Sequence, residues 1–248
     1  MRIRLKLKTV EEQLIDYNYN ADLNNLIYEV VKDADEQMAE KLFGEGILIG
    51  DKPAKPYTFS RLLFDNYKAT HKGLIVKGEG EWLISTPVDE LAETLINGLI
   101  GRYQIKVGKN KFTVERHQML KDPEMPEEMS CFMLAPVVTS VFRPDGREVF
   151  CHPLQSEFYD LLRSDLIFKV KQIYGEVFDP ADIQFTIIDP EKFELERAAN
   201  LIHYKGKNIK GYLFKFKMTG PEKVLKIAFS WGLGSFNYQG FGMIDFLR

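Results

Sequence analysis

The sequence predicts an α+β protein in which one order of strands and helices occurs twice. Three observations point there: a strictly alternating N-terminus, four amphipathic stretches with helical spacing set among strand-like runs, and one Pro-rich, charge-rich stretch near the middle.

"MRIRLKLK" alternates, placing Ile3, Leu5 and Leu7 on one face of a strand and Arg2, Arg4, Lys6 and Lys8 on the other. Residues 21–43 turn helical, with Leu23, Leu26, Ile27, Val30 and Val31 at three- and four-residue spacing. After a Gly-Pro loop, strands are expected at 57–64, 73–76 and 82–85. "TPVDELAETLINGLIG" reads as a helix with Thr86 as N-cap, Pro87 in its first position and glycine at its end. "QIKVG" and "KFTVERHQML" close this half as strands. "KDPEMPEE" at 121–128 is the natural linker. Beyond it, "CFMLAPVVTSVF" reads as a strand, "PDGRE" as a turn and "PLQSEFYDLLRSDLIFKVKQIYG" as a long amphipathic helix. Strands follow at "DIQFTIID" and "KGYLFKFKM". "GPEKVLKIAFSW" is a helix with Val224, Ile227, Ala228 and Trp231 on one face, and "GMIDFL" a short final strand. Each half has the order β-α-β-β-α-β. The chain is therefore expected to form two tandem ferredoxin-like domains, 1–122 and 129–248.

The 248 residues, 45% hydrophobic and 28% charged, suffice for a real core. No apolar run would span a bilayer, and Met1 leads directly into basic alternation, so a cytoplasmic protein without a membrane partner is expected. Cys131 and Cys151 lack CxxC partners and read as reduced thiols. His71, His117, His152 and His203 show no ligand spacing, and no metal or cofactor is expected. A net charge of −3 gives no global sign of nucleic-acid binding, so any such role rests on local patches. Arg2, Arg4, Lys6 and Lys8 form one, since like charges along a strand repel and a polyanion would relieve them. Lys215 and Lys217 share a face of "LFKFK" and extend the candidate phosphate contacts.

Near the C-terminus, "GLGSFNYQGFG" carries Gly232, Gly234, Gly240 and Gly242 as two Gly-apolar-Gly pairs. It follows a helix and has no helix after it, which excludes a dinucleotide loop, and it lacks the Lys-Ser/Thr of a Walker loop. What remains is a loop whose small residues and amides let a polyanion backbone approach closely. An alanine at Gly234 or Gly240 is expected to intrude on that contact while the protein stays folded. A tight turn using positive φ is the alternative reading.

The pattern G-h-G-x5-G-h-G, with h apolar, resembles the glycine-rich loop of the RAMP superfamily. Its place near the terminus is similar to that in CRISPR-associated repeat-processing endoribonucleases, the Cas-six family. The likeness extends over the chain through "NNLIYEVV", "PYTFSRLLF", "LAETLINGLI", "LAPVVTSV" and "PLQSEFYDLL". The resemblance implies binding of repeat RNA in precursor CRISPR RNA and cleavage within it without a metal, by attack of a ribose 2′-hydroxyl that leaves a 2′,3′-cyclic phosphate. Family members use a tyrosine on the first helix, a histidine near its end and a lysine in the loop beyond. Tyr28 matches the tyrosine, and Lys55 matches the lysine, with Lys52 as the fallback. Phe43 stands where the histidine is expected, and no histidine precedes His71. That departure leaves open a member that only holds RNA, or a structural RAMP subunit. The partners implied are the repeat RNA, with a CRISPR interference complex and a second copy of the chain left open.

Overall fold

The computed structural model describes residues 1–247 and divides into two compact units. The first comprises Met1–Ile47, Pro53–Asp122 and Tyr238–Gly240; the second comprises Leu48–Lys52, Pro123–Asn237 and the residues from Phe241 on.

The elements up to residue 122 are β1 (Arg2–Ile15), α1 (Asn20–Ala34), α2 (Glu36–Phe43), β2 (Ile47–Ile49), β3 (Lys52–Ala54), β4 (Thr58–Phe59), β5 (Leu63–Thr70), β6 (Gly73–Ser85), α3 (Asp89–Leu99), β7 (Gln104–Val107) and β8 (Asn110–Leu120). Alternation in β1 does what it predicts: Ile3, Leu5 and Leu7 are each no more than 1% exposed. β1 lies between β6 and β8 in an antiparallel sheet of order β4-β6-β1-β8-β7, with β5 also pairing β6. The crossovers through α1 and α3 thus give the spatial order fourth-first-third-second, which is the ferredoxin-like arrangement. Leu23, Ile27 and Val30 of α1 and Leu91 and Leu95 of α3 close the core over the sheet.

Three local expectations are corrected. The helix expected over 21–43 breaks at Asp35, whose extended backbone (φ −152°) lets its carboxylate accept from the Met38 amide and cap α2. The helix after Thr86 begins only at Asp89, because Thr86 Oγ1 accepts from the Val88 amide and donates to the Pro56 carbonyl at 2.6 Å. The runs at 73–76 and 82–85 are one strand, β6. Its internal glycines look like a turn in sequence, but Gly80 is where the Phe64 ring packs, 2.7 Å from where a Cβ would stand.

The second unit contains β9 (Glu128–Met133), β10 (Ser140–Phe142), β11 (Glu148–Phe150), α4 (Ser156–Tyr174), β12 (Gln184–Ile187), α5 (Leu195–Ala198), β13 (Ala199–Tyr204), β14 (Lys207–Tyr212), β15 (Lys215–Thr219), α6 (Glu222–Trp231) and β16 (Ile244–Phe246). The sheet order β12-β15-β9-β16 repeats the fourth-first-third-second pattern, with α4 and α6 as its crossovers. Two side hairpins, β10–β11 and β13–β14, are additions. They divide what the sequence suggests are single strands. "CFMLAPVVTSVF" leaves the sheet after Met133, where Val137 turns to bridge Tyr212. "KGYLFKFKM" divides at Leu213, whose amide donates to the Ala198 carbonyl. Among the described residues, no helix is long and apolar enough to cross a membrane.

Candidate functional site

The basic face of β1 is less open than its sequence suggests. Arg2 is only 2% exposed, which corrects its expected place among the phosphate contacts. Arg4 and Lys6 both reach Glu81 of the neighbouring β6, at 3.3 and 3.0 Å, and Lys8 reaches Glu115 of β8 at 3.1 Å. Cross-strand carboxylates therefore relieve the repulsion within the row. The hydrogen bond and charge of Glu115 hold the Lys8 ammonium above the ordinary lysine range. Lys6 and Lys8 remain exposed. In the second unit, Lys215 and Lys217 are exposed on either side of buried Phe216, and Lys217 pairs with Glu128 at 2.7 Å.

In the first unit, the structure gathers Tyr28 and Lys55 around Phe43. Tyr28, on the partly exposed side of α1, packs its ring edge-on to Phe43 at the end of α2, with 5.1 Å between centroids. The loop after β3 returns Lys55 to the same residue, and its Nζ donates to the Phe43 carbonyl at 3.0 Å. The Lys55 Nζ also lies over the ring of Tyr238, 5.1 Å from its centroid. Tyr57 supports the cluster from within: it is fully buried, its hydroxyl donates to Asn24 Oδ1 at 2.7 Å, and its ring meets Phe43 at 6.1 Å and Tyr238 at 6.5 Å. Lys52 is exposed and belongs to the second unit, with its Nζ 5.5 Å from the Phe168 ring. Lys55, then, is the lysine that shares Phe43 with Tyr28.

The glycine-rich loop is shaped by demands of the chain itself. Gly232, Gly234, Gly240 and Gly242 all have positive φ, at 88°, 67°, 83° and 74°. A Cβ on Gly234 would lie 2.2 Å from the Val138 carbonyl oxygen, one on Gly240 2.3 Å from the Phe59 ring, and one on Gly242 1.9 Å from the Leu233 carbonyl oxygen. This corrects the expectation that alanine there would first meet a bound RNA in a folded protein, because it would first meet protein.

Two buried side chains that sequence reasoning missed hold the second-unit part of this loop. Lys169 of α4, 4% exposed, places its Nζ 2.7 Å from Asp165 Oδ2, 2.7 Å from Asn237 Oδ1, 2.9 Å from the Gly232 carbonyl and 3.2 Å from that of Gly234. Burial pulls the lysine below its usual range, and the Asp165 carboxylate opposes that shift. Its four hydrogen-bond partners are all oxygens that accept from it. Asn237 in turn donates to the carbonyls of Leu233 and Phe241 at 3.0 and 3.1 Å, closing the loop across its base. The first-unit part, 238–240, is held by Asn20, whose Nδ2 donates to the carbonyls of Gln239 and Gly240. The available signal for Lys169 was a lysine in the apolar stripe of Leu162, Leu166 and Val170.

Comparisons with known proteins agree with the fold. A family model described as "CRISPR-associated protein Cas6, N-terminal" matches residues 14–118, and one described as "CRISPR associated protein Cas6, C-terminal" matches residues 120–246. The chain is 27% identical over 236 residues to a "CRISPR-associated endoribonuclease Cas6" of Pyrococcus furiosus, covering 93% of this chain and 83% of that one. It is 25% identical over 248 residues to "CRISPR-associated endoribonuclease Cas6 1" of Methanocaldococcus jannaschii, covering 98% and 92%. A solved structure described as "An RAMP protein binding different RNA substrates" superposes with a TM-score of 0.84 at 23% identity, covering both chains completely.

Proposed function

The chain belongs to the Cas6 family of CRISPR-associated proteins, and from that membership we propose that it binds the repeats of precursor CRISPR RNA and cleaves within them. The relatives are named endoribonucleases, and the superposed structure is described as binding RNA. The observation that carries the reading is the meeting of Tyr28 and Lys55 on Phe43, the one through its ring and the other through its carbonyl.

In the proposed reaction, the 2′-oxygen of a ribose attacks the adjacent phosphorus and loses its proton. The P–O5′ bond breaks, leaving a 2′,3′-cyclic phosphate, and the departing 5′-oxygen takes up a proton. Tyr28 accepts from or orients the 2′-hydroxyl, and the Lys55 ammonium offsets charge gathering on the phosphorane. Phe43 offers no ring nitrogen for proton transfer. The step a histidine would assist therefore runs slower by roughly 10²- to 10⁴-fold, the usual contribution of general acid–base catalysis. Lys6, Lys8, Lys215 and Lys217 supply contacts to the RNA backbone.

The test uses a 5′-labelled synthetic RNA of one CRISPR repeat from the source genome, incubated with the protein in EDTA. A single cut with a 2′,3′-cyclic phosphate end, lost in Lys55→Ala and reduced in Tyr28→Phe, is expected. Cutting that requires added Mg²⁺ would overturn the mechanism. A retarded RNA with no product would instead establish the second reading, retention of RNA without cleavage, which Phe43 in the histidine position favours.

A further inference from the structure

We infer that Tyr238, in the spacer between the two glycine pairs, is the positioning residue for Lys55. This rests on the role given to Lys55 above. A lysine on a loop carries a long flexible stem and samples many rotamers unless something holds its head group. Here two contacts from different parts of the chain hold it. The Phe43 carbonyl accepts from Nζ at 3.0 Å, and the Tyr238 ring lies beneath the ammonium at 5.1 Å, within the range over which an aromatic face attracts a cation.

The ring is itself fixed. Its hydroxyl accepts from Gln239 Nε2 at 2.8 Å, and its edge meets Tyr57, which Asn24 secures. The backbone on its C-terminal side is pinned by Asn20 at 2.9 and 3.1 Å. Gly240 lets the chain pass so close to Phe59 that a Cβ there would lie 2.3 Å from its ring and 2.8 Å from Asn20 Nδ2. The glycine at 240 and the tyrosine at 238 are thus parts of one device. The first removes the side chain that would block the loop's approach, and the second delivers a ring to the lysine.

Three variants decide the matter: Tyr238→Leu, which removes the ring face; Tyr238→Phe, which keeps it; and Lys55→Ala. The first measurement needs no RNA. In protein labelled with ¹³C-lysine, the Lys55 ε-methylene should resonate upfield from ring current in wild type and Tyr238→Phe, and return to an ordinary position in Tyr238→Leu. The second is single-turnover cleavage of the labelled repeat RNA. Tyr238→Leu should cut roughly 2- to 30-fold more slowly, the range of a cation–ring contact, with RNA affinity little changed, and Tyr238→Phe should restore the rate. Native-like NMR dispersion in all three keeps unfolding from imitating the result. The inference is overturned if the ε-methylene is indifferent to Tyr238→Leu, or if that variant cuts like wild type while Lys55→Ala does not cut. If Lys55→Ala itself cuts like wild type, the assigned role of Lys55 fails, and the methylene shift alone still shows whether the ring holds it.

Discussion

Replacing Gly242 by alanine separates two costs that a glycine-rich loop usually confounds. Its φ of 74° places an L residue in the left-handed region, a strain of about 1 to 2 kcal/mol. The added Cβ would also lie 1.9 Å from the Leu233 carbonyl oxygen, so one of the two backbone segments must move by more than 1 Å, roughly the shortfall from an ordinary contact. That movement breaks two bonds that join these segments to their neighbours, Leu233 N to Gly242 O and Gly242 N to Pro136 O, each 2.9 Å long. At about 1 kcal/mol apiece, the total reaches about 3 to 4 kcal/mol. Gly146 supplies the control, because its φ is 79° but a Cβ there meets nothing within 4 Å. Gly146→Ala should therefore cost only the φ strain, about 1 to 2 kcal/mol. Urea unfolding followed by far-UV circular dichroism, with calorimetry to resolve the two units, measures both variants against wild type. A Gly242→Ala protein no less stable than Gly146→Ala would refute the claim that packing, and not φ alone, requires glycine in this loop.

Other outcomes follow from the same geometry. Lys169→Met strips the buried ammonium from Asp165, Asn237 and two loop carbonyls, and should destabilise the protein by about 3 to 5 kcal/mol in the same urea experiment; a loss under about 1 kcal/mol would mean the network is incidental. Burial pushes the Tyr159 phenol up to about 12, and its hydroxyl donates to the Pro153 carbonyl. A raised folded-state value means its contribution to stability is full below about pH 10 and is lost as pH climbs from there toward the folded value. Tyr159→Phe should flatten that alkaline decline, and an unchanged decline would assign it to other groups. Reversing Lys6 and Lys8 to Glu should lower the salt dependence of repeat-RNA binding by roughly 0.7 in log–log slope for each phosphate left without its cation, measured by filter binding from low to moderate salt. An unchanged slope would leave both lysines serving only Glu81 and Glu115.

What could be read directly was whatever a local period carries. Ile3, Leu5 and Leu7 announce β1, and the doubled strand–helix order foretells both sheets. Where a residue's reason lies elsewhere in the chain, reading failed. Gly80 interrupts β6 in sequence because the Phe64 ring, on another strand, needs the space. Asp35 ends a helix that its neighbours' periodicity would continue, through a cap bond to Met38. Lys169 falls in the apolar stripe of α4, but the carbonyls of Gly232 and Gly234 that accept from it lie in a distant loop. In the candidate site, family likeness singles out Tyr28 and Lys55, which the structure brings together on Phe43, whereas Arg2 was misjudged because alternation shows which side of a strand a residue takes and not what covers that side. Tyr238 gives no local signal, because the lysine that explains its ring lies far from it in the chain.

The anchoring of residues 238–240 by Asn20 also bears on the order in which the first unit assembles. The bond from Asn20 to Gly240 closes a span of 220 residues, whereas β1 meets β6 across a span of 75 at the Lys6–Glu81 pair. Loop-closure entropy makes the longer closure costlier by about 1 kcal/mol, and contacts of such separation form late. During synthesis, β1, β6 and β8 can pair while the residues from 238 to 240 do not yet exist. Phe59, Asn20 and Lys55 then wait beside a gap that only a distant stretch of the chain can fill. The surroundings of the candidate lysine are therefore among the last features of the protein to form.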